Sequence, residues 1–156
     1  MDFIASDDSR WTAADDLSAP QAHRLLTLEQ WQAVRAHWPV DLPTGVLLPN
    51  TADVTELAAD LPRLALVVLQ FPKWTDGRAY SQARLLRTRL RHRGEIRATG
   101  DVLVDMVPLL QRNGFSSAQL RGDQKLAHAQ RALRFFDGHY QADVAEPTAL
   151  FARAAG

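Results

Sequence analysis

Six consecutive apolar residues, Leu64-Ala65-Leu66-Val67-Val68-Leu69, constrain this chain more than any other stretch. The run is far short of the roughly 20 residues that a membrane span requires. It does not alternate with polar residues, so a strand built from it is apolar on both faces. Strands of that kind belong in parallel sheets covered on both sides. Helix signals flank it. Asp53 and Glu56 form a capping box ahead of an apolar stripe at Val54, Leu57, Ala58 and Leu61, which Pro62 closes. A polar loop over residues 72–77 then leads into a helix over 78–90, with Ala79, Ala83, Leu86 and Leu90 inward.

The same alternation recurs along the chain. Gly45–Leu48 reads as a strand closed by Pro49-Asn50, and Glu95–Ala98 as another. Asp101 is placed to cap a helix through Leu110, which Pro108 should kink or delay and Asn113-Gly114 should end. Ser117–Leu120 is the fourth strand. Asp123 opens a last helix with Leu126, Ala129, Leu133 and Phe136 on one face and Gly138 at its end. Four successive strand–helix units predict an α/β fold, a parallel sheet of about four strands with right-handed crossovers. Ile96, Ala98, Ala118 and Leu120 fall on one side of the last two strands, and Arg97 and Gln119 on the other. That alternation fits either an open sheet or a sheet curled like half a barrel with a polar concave face.

The 156 residues form one domain. Residues 45–141 are its βα core, and residues 1–44 an N-terminal extension. The extension is read as a hairpin, Phe3-Ile4 to Arg10-Trp11-Thr12 through Asp7-Asp8-Ser9, followed by a helix. Thr27 and Gln30 box that helix, Leu28, Trp31, Val34 and Trp38 give its stripe, and Pro39 stops it.

Composition removes several chemistries. The chain has no cysteine, which excludes disulfides, thiolate metal sites and a thiol nucleophile. Its five histidines lack ligand spacing, and no dinucleotide, phosphate-loop or nucleophile-elbow signature occurs. No metal and no cofactor are therefore expected. The acidic N-terminus has no apolar signal region, and a cytoplasmic location without membrane contact is expected. Eighteen basic residues balance eighteen acidic ones, so nucleic acid is not favoured as a partner. Locally the balance breaks. Residues 1–60 carry ten acidic and three basic residues, and residues 78–97 seven arginines and one glutamate. The basic stretch reads either as solvated helix surface or as a docking face for an acidic partner, in which Arg87 and Trp74 would take part.

The stretch Phe71-Pro72-Lys73-Trp74-Thr75-Asp76-Gly77-Arg78-Ala79-Tyr80-Ser81-Gln82-Ala83-Arg84-Leu85-Leu86-Arg87 closely resembles the signature of the bacterial domain of unknown function family 934. Arg97-Ala98-Thr99-Gly100-Asp101-Val102-Leu103, Gly114-Phe115 and Tyr140-Gln141 are similar to its later blocks. Two positions depart from that pattern: Met106 stands where the family usually has Gln, and Asn113 where it often has Cys. A required cysteine nucleophile is thereby excluded here. The resemblance implies a protein without established activity, often associated with sulfite reductase and other sulfate-assimilation genes. An auxiliary role in sulfate or sulfite reduction, with sulfite reductase or another protein of that pathway as partner, follows as an expectation. Some relatives carry an oxidoreductase label, which no cofactor motif in this chain supports.

The rival reading is a small enzyme or binding protein with an oxyanion or phosphate site at the 73–84 loop. In parallel sheets ligands bind beyond the C-terminal ends of the strands. A helix opening there offers free N–H groups to an anion. The ligand-binding candidates are Lys73, Asp76, Gly77, Arg78, Tyr80, Ser81 and Arg84 on the first loop and helix. Arg97, Gly100 and Asp101 are the candidates on the next unit. Gly77 would admit a ligand close to the backbone. The Asp101/Asp105 pair is a weak acid–base motif, and Tyr80 with Arg84 lacks the lysine of a dehydrogenase pair. No catalytic residue is assigned, and both enzymatic and non-enzymatic readings fit.

Overall fold

A computed structural model describes residues 1–8 and 10–135. Seven strands, all parallel, make one sheet: β1 Asp2–Phe3, β2 Thr12–Ala13, β3 Arg24–Thr27, β4 Thr44–Leu48, β5 Leu64–Phe71, β6 Glu95–Gly100 and β7 Ser117–Ala118. Their spatial order is β1-β7-β6-β5-β4-β3-β2. Each strand from β3 to β7 thus lies beside its predecessor in the chain, and β1 returns beside β7. This is the strand order of a barrel opened between β1 and β2.

The curl follows from chain length. Only residues 4–11 separate β1 from β2, which occupy opposite edges of the sheet. Fully extended, the link reaches about 30 Å. Six inter-strand spacings would place the edges about 29 Å apart in a flat sheet. The link must also run back along the strand direction, because β1 and β2 are parallel. A flat sheet is therefore out of reach, and the two edges bend toward each other. The structure takes the half-barrel form of the two that the sequence allowed.

The helices are α1 Leu28–Val34, α2 Arg78–Thr88, α3 Val107–Arg112 and α4 Leu126–Phe135. Leu26, Val46, Leu48, Val67, Leu69, Phe71, Ile96, Ala98 and Ala118 form one core with Trp31, Ala79, Ala83, Leu86 and Leu110 from α1 to α3. The alternate residues face the concave side. On β5, fourth of the seven strands, both sets are buried except Ala65 and Gln70, as its apolar run predicted. Asp8 and Trp11 of the link lie against that concave side. The Trp11 ring packs 3.2 Å from where a Gly45 Cβ would stand, and Asp8 lies 4.0 Å from Arg97.

Several local expectations change. The N-terminal hairpin does not form. A turn closes from the Asp8 N–H to the Ala5 carbonyl, but β1 pairs with β7 and β2 with β3, both in parallel. Residues 1–44 supply three strands of the sheet, which raises its count from about four to seven. The Thr27/Gln30 capping box is present, with both reciprocal hydrogen bonds, but α1 ends at Val34, before Pro39. Asp53 caps a 3-10 turn over Val54–Leu57 where a longer helix was expected. Pro108 delays α3, which starts at Val107 after a 3-10 turn. Asn113 caps α3, and Gly114 follows at φ 99°. Phe136, Gly138 and Tyr140-Gln141 lie outside the described residues.

Arg87, expected on the surface of the basic stretch, is a clamp. Its guanidinium donates to the carbonyls of Gly114 at 2.8 Å, His92 at 2.8 Å and Gly94 at 2.7 Å, tying the end of α2 to the approaches of β6 and β7. Arg87→Glu leaves those carbonyls unpaired and sets a carboxylate against them. It should cost at least about 3 kcal/mol in urea unfolding. His92 is buried beside this clamp. Burial first, and the Arg87 charge second, depress its imidazole to about 4. The unfolded imidazole titrates near 6.5, so the contribution of His92 to stability is complete above that pH. It declines as pH falls toward 4. The urea midpoint should show that slope, and His92→Gln should flatten it.

Candidate functional site

The C-terminal ends of β4 to β7 meet at one rim, and side chains stitch their loops together. After β4, Asn50 donates to Asp76 of the β5 loop at 2.7 Å. After β5, the Trp74 N–H donates to Asp101 of the β6 loop at 2.8 Å. After β6, Asp101 accepts from Arg121 of the β7 loop at 2.6 Å, and Arg121 reaches on to Asp123 at 2.6 Å. Gln82 of α2 closes the inner side by donating to the carbonyls of Pro49 at 3.0 Å and Ala52 at 2.9 Å. Four loops from four βα units thus form a continuous hydrogen-bonded belt.

The belt redefines most of the candidate residues. Arg78 forms a two-point ion pair with Asp76, at 2.6 Å and 3.0 Å. The guanidinium holds the Asp76 carboxyl well below the usual carboxylate range. Asp101 does not cap a helix. The N–H of Trp74 first, and Arg121 second, keep it ionised. Asp123, expected to open α4, is lowered by Arg121.

The two glycines exchange importance. Gly77 caps α2 at φ −83°, and a Cβ there would meet only Tyr80 Cδ2 at 3.6 Å, so no close approach requires it. Gly100 sits at φ 95°, where a Cβ would overlap the Phe71 carbonyl oxygen. The same carbonyl accepts the Asp101 N–H at 2.8 Å, which seats Asp101 under Trp74.

The remaining candidates scatter. Lys73 is exposed on the rim, and among the described residues it has no ion pair. Tyr80 is half-buried against Phe71 and Phe115, with ring centroids 5.0 Å and 6.4 Å away, and burial pushes its phenol up to about 12. Ser81 and Arg84 lie on the exposed side of α2, since its buried side is Ala79, Gln82, Ala83 and Leu86. Arg97 is not on the rim. It is buried on the concave face, 2.8 Å from Glu95, which also accepts from Ser117 at 2.6 Å.

Sequence reasoning missed Asn50 and Gln70. They line a cleft of about 370 Å³ on the rim together with Pro49, Phe71, Gly100 and Asp101. A second cleft of about 380 Å³ shares Pro49 and Gln70 and extends to Thr27, Glu29 and Gln32. The signals were present: Gln70 is the one polar residue of β5, and Asn50 follows the proline that ends β4. Among the described residues no group of three or more His, Asp or Glu side chains could hold a metal, and no helix is long and apolar enough to cross a membrane.

A curled parallel βα sheet with a stitched C-terminal rim and clefts opening between its loops defines the class: an α/β half-barrel protein. The chain belongs to the family described as bacterial protein of unknown function (DUF934), which matches residues 45–151. No curated protein matches it. Strands β1 to β3 precede the matched segment, yet they pair into the same sheet as the strands within it.

The belt makes a stability contrast testable. Gly100→Ala should destabilise by about 2 kcal/mol or more through backbone strain and overlap. Gly77→Ala should stay within about 0.5 kcal/mol of wild type. Urea unfolding of both variants measures the difference.

Proposed function

We propose that the protein is an auxiliary component of assimilatory sulfate and sulfite reduction that works by docking. Its rim loop, residues 72–78, would contact sulfite reductase or another protein of that pathway. The pathway comes from the family resemblance. The docking mode rests on Trp74, which is 54% exposed although its own N–H is fixed by Asp101. An exposed indole on a backbone pinned at Trp74 and again at Asp76 loses little freedom on binding, and Trp is a frequent interface anchor. Trp74→Ala should leave stability within about 0.5 kcal/mol of wild type. It should also abolish capture of the partner and slow growth on sulfate but not on cysteine. Wild-type growth of that variant on sulfate, where a deletion strain fails, would remove the rim loop from the function.

A second reading keeps the oxyanion site at the 73–84 loop. It is favoured by the exposed Lys73 beside the start of α2, although the Asp76 carboxylate already accepts from the Arg78 N–H there at 3.3 Å. Arg78 contributes little charge to such a site, because Asp76 already neutralises it. Sulfate or phosphate at 100 times its dissociation constant should add about 2.7 kcal/mol of stability. Absence of any anion-dependent shift in melting would leave the docking reading alone.

A further inference from the structure

A separate cleft lies at the opposite end of the strands, where the chain enters β5 and β6. Its volume is about 380 Å³, within the range of small-molecule sites. Leu61, Pro62, Leu64 and Leu90 give it apolar surface, and Arg91 and Arg93 also line it. Both arginines are exposed, and among the described residues neither makes an ion pair or a side-chain hydrogen bond. This sets them apart from Arg78, Arg87, Arg97 and Arg121, whose guanidiniums are all engaged.

Two further observations mark the cleft. His92 forms part of its wall and is only 5% exposed, yet its Nε2 has no hydrogen-bond partner among the described residues. Arg91 occupies the left-handed region at φ 55°. It stands just after α2, where the His92 N–H closes on the Leu86 carbonyl at 2.8 Å. Glycine or asparagine ordinarily takes that position, because a Cβ is unfavourable there. Arg91 therefore lines the cleft in spite of an unfavourable backbone conformation.

We propose that this cleft binds a small carboxylate carried on a short apolar chain. The carboxylate would lie between Arg91 and Arg93, and the apolar chain would cover the apolar surface. Planar guanidinium groups match a carboxylate through paired N–H donors. That surface offers nothing to the oxygens of an inorganic anion, so an apolar body distinguishes this ligand from sulfate or phosphate. The site is independent of the rim loop and of the docking function proposed for it.

Hexanoate is a suitable probe, titrated into the full chain and followed by NMR shifts of the amides over residues 89–95. Saturable binding is expected, with sulfate giving no comparable shifts at the same concentration. Arg91→Gly should weaken hexanoate binding about tenfold while maintaining or raising stability, because it removes the left-handed strain together with the charge. Arg93→Gln should weaken it by a similar factor, and Trp74→Ala should leave it unchanged. No saturation with hexanoate, equal binding of sulfate, or hexanoate binding untouched by both arginine variants would each overturn the proposal.

Discussion

Eight residues between β1 and β2 set the shape of this molecule. They must join the two outermost strands of a seven-stranded sheet and reverse direction along it. The sheet can satisfy them only by curling, and curling gives it an inside. Ordinary parallel sheets put helices on both faces. Here the helices take the convex face, and the connecting segment itself covers part of the concave one, with Trp11 on Gly45 and Asp8 near Arg97. Gly45 is small because the indole needs that room. Arg97, Glu95 and Ser117 form a polar patch inside the curl, beside the buried Leu66 and Val68 of β5.

The rim shows how charge can be abundant without being available. Asp76, Asp101 and Asp123 each face an arginine or a backbone N–H, and each is held ionised by that partner. These contacts fix loop geometry across four βα units. Exposed ion pairs of this kind contribute little to global stability individually. Their value lies in order: they leave Trp74 standing on a backbone that has already given up its freedom.

The fold class was legible because its strongest signal was local and long. Leu64–Leu69 reads as a strand apolar on both faces, and the alternation at Glu95–Ala98 left a polar concave face as one of two forms. The Thr27/Gln30 box was legible because its partners are three residues apart. Strands β1 and β2 were not, since two residues each carry no periodicity and their partners are remote. The turn at Ala5–Asp8 is real, and it invited a hairpin that long-range pairing overrides. The arginines of 78–97 look alike in sequence. Only tertiary position separates Arg87, which binds three carbonyls, from Arg91 and Arg93, which bind none of the described groups. Asp101 suited an N-cap by type, but the positive φ of Gly100 turns it toward Trp74.

The pairing of Asp2 with Ser117 has a consequence for how the chain is made. Strand β1 leaves the ribosome before the other strands, yet its place beside β7 exists only after more than a hundred further residues have followed. At about 5–20 residues per second, that interval lasts roughly 6 to 23 seconds. Strands β2 to β6 can zip together in order of synthesis, each beside the strand just made. Strand β1 must wait, with its backbone groups unpaired and the link to β2 holding it near the growing curl. The earliest part of the sheet to be translated is the last to be joined, and a nascent chain halted before residue 117 carries both β1 and β6 as open edges.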